Sequence, residues 1–109
     1  MTAPAACAGD LRPDAPIYVV LNAGSGSLET QQRIDTIRSV LTAASRPHEI
    51  LQVQNPKMLG VAIARAITLA TRERGAVVAA GGDGTINAVV QQVLHTGLPF
   101  GVLPQGTFN

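Results

Sequence analysis

Residues Gly81 to Thr85 read Gly-Gly-Asp-Gly-Thr, between the apolar runs Val77–Ala80 and Ile86–Val90. Glycine lets a backbone come close to a ligand with no β-carbon in the way. The free amides of a helix that starts there then face an anion, and the helix dipole favours negative charge. Asp83 complicates this reading, because a carboxylate repels a bare phosphate. It fits if it meets the phosphate through a divalent metal, accepts hydrogen bonds from a ribose or the loop amides, or caps the following helix. Two other segments share the composition: Asn22–Ser27, "NAGSGS", and Pro104–Asn109, "PQGTFN". Ser25, Ser27, Thr85 and Thr107 add hydroxyl donors. Neither G-x-G-x-x-G nor G-x-x-x-x-G-K-[ST] is present, so the dinucleotide fingerprint and the Walker loop do not apply. A glycine-rich turn can also serve only to fit a helix against a sheet. That explanation suits the two flanking segments better than Gly81–Gly84, where fewer glycines would make the turn.

The elements that must carry these segments follow from hydrophobic periodicity. Ile17–Leu21 is a short β-branched run, read as a buried strand. A helix is expected from about Leu28 to Ala44, with Ile34, Ile37, Leu41 and Ala44 as its stripe and Glu29 in its first turn. Glu49–Val53 reads as a second strand. Asn55-Pro56 is a helix start, and Leu59, Ala62, Ile63, Ala66, Ile67 and Ala70 give the apolar face. Arg72 and Arg74 close that helix and Gly75 stops it. Ala76–Ala80 is a third strand. Ile86, Val89, Val90, Val93 and Leu94 mark a third helix that Gly97 ends, and Phe100–Leu103 is a fourth strand. This βαβαβαβ order predicts an α/β three-layer sandwich around a small, parallel, Rossmann-like sheet of about four strands. The loops after parallel strands share one edge, which is where such sheets bind ligands. The segments after strands one, three and four therefore converge, and a phosphate-bearing ligand, a nucleotide, is expected there.

Composition removes other classes. The 109 residues carry a net charge of +1 with scattered lysines and arginines, against the basic stripe that nucleic-acid binding requires. Only 14% of residues are charged and 46% are hydrophobic, with few aromatics, so Ala, Val, Ile and Leu must build the core. Cys7 is the only cysteine, which excludes an intrachain disulfide. No apolar run approaches a membrane span and no secretory signal is evident, so a reducing, cytoplasmic setting is expected. Met1–Pro16 is small, proline-rich and aperiodic and reads as a flexible leader; residues 17–109 read as the nucleotide-binding domain. His48 and His95 are assigned structural places at element ends. No residue is assigned as a metal ligand.

"GGDGTINAVV", with "NAGSG" before it and "LPQGTFN" after it, resembles the catalytic domain of the diacylglycerol kinase family. That family includes sphingosine and ceramide kinases and bacterial lipid kinases and is related to NAD kinases. The resemblance covers Ile17 to Asn109, and the middle motif is highly specific. It implies an ATP-dependent kinase that phosphorylates a lipid hydroxyl with Mg²⁺ bridging the phosphates. By that analogy Gly81, Gly82, Asp83, Gly84, Thr85 and Asn87 hold the nucleotide phosphates. Asn22, Ser25 and Gly26 lie beside them, Thr107 closes the site, and Asp83 is the catalytic candidate on the chain.

Three positions depart from the family pattern. Ala23 replaces a usual proline, Ala88 a frequent glutamate, and Gln52 a nucleotide-contacting threonine of some members. The family's second, β-rich domain, which receives the lipid and supplies the general base, is expected to follow Asn109. The 109 residues thus read as a truncated portion, inactive alone, with peripheral membrane contact through that second domain. Two other readings stand beside this one. An NAD kinase-type enzyme shares GGDGT but usually continues with apolar residues where Asn87 stands. A non-catalytic nucleotide-binding module would be compatible with Ala88.

Overall fold

The computed structural model describes residues 14–22 and 28–104. Strand β1 is Ile17–Asn22, helix α1 Leu28–Ala43, β2 His48–Val53, α2 Leu59–Glu73, β3 Ala76–Gly81, α3 Asp83–Val93 and β4 Phe100–Pro104. A single 3₁₀ turn, Pro56–Met58, precedes α2. All strand pairs are parallel, and the order across the sheet is β2-β1-β3-β4. The expected α/β architecture with a four-stranded parallel sheet is therefore present.

The order explains the layering. The chain steps from β1 to β2 in one direction, then crosses back over β1 to β3 and on to β4. Right-handed crossovers then put α1 on one face and α2 with α3 on the other, and the two core clusters divide that way. Ile34 and Ile37 of α1 pack with Ile17, Val19, Leu21, Ala76 and Ala80. Ile63, Ala66 and Ala70 of α2 and Val89 and Val93 of α3 pack with Tyr18, Val20, Val53, Val77 and Ala79. Successive residues of β1 and β3 thus serve opposite faces, as strand alternation requires, and both strands are buried on both sides. Because α1 alone covers its face, a groove of about 550 Å³ stays open there, bordered by Val40, Val78 and Val102.

Several element ends differ from expectation for identifiable reasons. Ala44 is exposed and lies outside α1. The chain turns through Ser45 at φ 55°, and the Arg46 amide donates back to the Leu41 carbonyl at 2.8 Å. Asn55 caps the 3₁₀ turn, not α2: its Oδ1 accepts from the Lys57 amide at 3.0 Å, and α2 proper begins at Leu59. The left-handed residue that ends α2 is Arg74, at φ 58°, and not Gly75. Gly75 is needed for a different reason, since a β-carbon there would run into the Pro16 carbonyl. The Ala76 amide also donates to Pro16 O at 3.0 Å. Arg46 Nη1 donates to the carbonyl of buried Ala15 at 3.1 Å, so packing begins two residues ahead of β1. Leu94, expected on the apolar stripe of α3, lies past the buried Val93 and is 59% exposed.

Candidate functional site

The sheet order creates one switch point. Chain leaving β1 heads toward β2, and chain leaving β3 heads toward β4, so the two connections diverge from neighbouring strand ends. Leu21 pairs with Ala80, which sets Asn22 beside Gly81 at the carboxyl edge. A crevice at this position is where open parallel sheets take their ligands.

Asn22 bridges this switch point. Its Nδ2 donates to Thr85 Oγ1 at 3.1 Å, joining the end of β1 to the first turn of α3 across 63 residues of sequence. Alternation along β1 puts Asn22 on the same face as Tyr18 and Val20, the face that α3 covers. Thr85 is 4% exposed, so its hydroxyl is a buried polar group whose hydrogen bond offsets the cost of desolvation.

The Gly81–Gly84 segment separates into two kinds of glycine. Gly81 has φ +149°, and a β-carbon on it would lie 3.2 Å from Thr85 Cβ. It is required by the fold. Gly82 and Gly84 are exposed, neither has a left-handed φ, and a β-carbon on either would meet nothing within 4 Å. Nothing in the described protein demands glycine at those two positions.

Gly82 is the residue before α3, in extended backbone at φ −82° and ψ −176°. Its carbonyl accepts the first intrahelical bond, from the Ile86 amide at 3.0 Å. The amides of Asp83, Gly84 and Thr85 precede that bond and are among the donors that a helix start leaves without intrahelical acceptors. They surround the bare backbone of Gly82 and Gly84 at the positive end of the helix dipole.

The cap role considered for Asp83 is not what the fold uses. Gly82 holds the cap position and Asp83 is the first helical residue, exposed, where its charge suits the dipole. Asn87 is exposed one turn further on, so Asp83 and Asn87 share a helix face as an i, i+4 pair. Ala88 is half-buried and packs against the core cluster beneath α2 and α3. Gln52, next to last in β2, pairs with Leu21 and is exposed. Its neighbours Leu51 and Val53 pack on the α2–α3 face, so alternation directs Gln52 toward the α1 side, away from Thr85.

Of the sequence-derived site residues, the fold brings together Asn22, Gly81, Gly82, Asp83, Gly84 and Thr85, with Asn87 one turn away. Ser25, Gly26 and Thr107 lie outside the described residues. No group of three or more His, Cys, Asp or Glu side chains that could hold a metal occurs among the described residues. No helix among them is long and apolar enough to cross a membrane. The bond from Asn22 to Thr85 was not legible in the sequence. Its only signal is a polar residue closing an otherwise apolar strand.

The model of the diacylglycerol kinase catalytic domain matches residues 16–109 of the chain. An uncharacterized protein of Synechocystis is 46% identical over 33 residues, which is 30% of this chain and 8% of that relative. The matched region thus spans a small fraction of the curated relative's length. No solved structure matches.

Proposed function

The chain belongs to the diacylglycerol kinase catalytic domain family, and from that premise we propose that it is the nucleotide-binding part of an ATP-dependent lipid kinase. The β- and γ-phosphates of ATP lie across Gly82 and Gly84, on the amides of Asp83, Gly84 and Thr85. The observation that carries this reading is that, among the described residues, nothing gives Gly82 and Gly84 a reason to lack a β-carbon. Close approach of a ligand supplies one. Asn22 and Thr85 form the inner wall, with Ser25, Gly26 and Thr107 assigned to the same site by family resemblance.

Mg²⁺ fits the residues present. Magnesium is commonly held by one or two carboxylates together with substrate phosphates, and Asp83 offers an exposed carboxylate one residue inside the phosphate-facing helix start. When bound, the ion neutralises phosphate charge and so offsets the repulsion that Asp83 would otherwise exert. The backbone amides and the helix dipole hold the phosphates in place, and the bare glycine surface allows that contact to be close. The acceptor is a lipid hydroxyl. The region that binds the lipid, and the general base that takes the hydroxyl proton, belong to a second domain beyond these residues.

Titration of the chain with Mg²⁺–ATP, followed by amide NMR, is expected to shift Gly82 to Thr85 ahead of other resonances. Undisturbed amides there at millimolar nucleotide would remove the reading. In an active full-length protein, Asp83→Asn is expected to abolish transfer without unfolding the domain; retained activity would leave Asp83 no more than a dipole partner.

A further inference from the structure

We infer that Asn22 is a positioning residue that aims the hydroxyl proton of Thr85 into the nucleotide site. This rests on the phosphate-binding reading above. A hydroxyl has one proton to give and two lone pairs to fill. Asn22 Nδ2 is a donor only, so at 3.1 Å it occupies a lone pair of Thr85 Oγ1 and cannot take the proton. No described residue accepts that proton. Thr85 is 4% exposed, so bulk water does not freely take it either.

With Asn22 Nδ2 on one lone pair, the Thr85 hydroxyl keeps its proton for another acceptor. It sits at the third residue of α3, beside the free amides of that turn. A phosphate oxygen seated on those amides presents the acceptor that the hydroxyl lacks. Asn22 does not need to touch the ligand to matter. It orients the group that does, and it holds the β1 end against the α3 start.

The two side chains should then be coupled in binding, and the hydroxyl should matter more than the shape of the side chain. The test is Mg²⁺–ATP affinity of this chain by calorimetry, with thermal melts confirming that each variant folds. A hydrogen bond to a charged group is worth about 1.5–3 kcal/mol, so Thr85→Val, close in shape but lacking the hydroxyl, is expected to weaken binding by about tenfold or more. Thr85→Ser keeps the hydroxyl and is expected to stay within about threefold of wild type, roughly 0.65 kcal/mol at the tenfold-per-1.4 kcal/mol conversion. Asn22→Ala is expected to cost about fivefold in the wild-type background and under about twofold in the Thr85→Val background, as coupled contacts behave.

Equal losses from Asn22→Ala in both backgrounds would overturn the inference and leave the nucleotide site standing. So would wild-type affinity in Thr85→Val. Failure of the wild-type chain to bind nucleotide would overturn both. If Asn22→Ala does not fold, Asn22→Ser takes its place in the same two-background comparison, with the same results supporting or overturning the inference.

Discussion

A β-carbon placed on Gly81 would lie 3.2 Å from Cβ and 3.3 Å from Oγ1 of Thr85, the residue that starts the buried face of α3. The last residue of β3 and the first turn of the next helix are thus in backbone-to-side-chain contact. The φ of +149° at Gly81 makes the same demand independently. Gly81→Ala is expected to destabilise the domain by about 1–3 kcal/mol, the usual cost of a strained backbone position. Urea unfolding measures it, and a variant as stable as wild type would show that the turn can relax.

Gly84 makes the opposite prediction. It lies inside α3, where a β-carbon would meet no described residue, and alanine is a better helix former than glycine by about 1 kcal/mol. Gly84→Ala is expected to raise the unfolding midpoint while weakening Mg²⁺–ATP binding by about tenfold or more, a loss of at least about 1.4 kcal/mol. Stability and affinity moving in opposite directions would mark the position as kept for the ligand. A stabilised variant with unchanged affinity would remove Gly84 from the site.

Arg74 and Gly75 carry exchanged duties. Arg74 holds the left-handed cap at φ 58° while Gly75 makes room for Pro16. The left-handed conformation costs an L-residue roughly 1–2 kcal/mol, and glycine avoids it. Arg74→Gly is expected to stabilise the chain by several tenths of a kcal/mol to about 1 kcal/mol, after the entropy that glycine adds to the unfolded state. Gly75→Ala is expected to be strongly destabilising. Thermal melts of the two variants should separate in opposite directions from wild type; similar melts would mean that the Pro16 segment yields.

Tyr18 gives a pH dependence. Burial raises its hydroxyl pKa above the ordinary value of 10.0, and the charges of Glu73 and Glu49 push the same way against a smaller opposing effect of Arg72. The folded chain holds the proton more tightly than the unfolded one. The associated stability is therefore complete below the unfolded pKa and is lost as the pH rises above 10 through the folded value. Tyr18→Phe is expected to flatten the alkaline limb of stability against pH. An unchanged limb would assign it to other groups.

The fold was legible because β1 and β3 are compact β-branched or alanine-rich runs and α2 and α3 carry apolar residues at helical spacing. Val20, Ile63 and Val89 could be placed in the core by pattern alone, and the structure buries them. Helix ends were less legible. Gly75 is needed for its contact with Pro16, some sixty residues earlier in the chain, and no local signal reports that contact. The same holds at the site. The glycine motif suggested a phosphate loop, but the sequence could not show that Gly81 is constrained by Thr85 while Gly82 and Gly84 meet no described residue. Nor could it pair Asn22 with Thr85, because that depends on β1 and β3 being neighbours. The cap role for Asp83 failed by one position, since a glycine holds the cap and the acid begins the helix.

Strand β1 leaves the ribosome before its partners and ends in the interior of the sheet, with Ile17 beside His48 on one side and Ala76 on the other. Its backbone groups cannot be satisfied by anything nearby in the chain. During synthesis the apolar Ile17–Leu21 run can pair on one side once β2 has emerged, but its other side stays open until β3 follows. An interior strand of the sheet is thus the first made, and it waits for the third before it is fully paired.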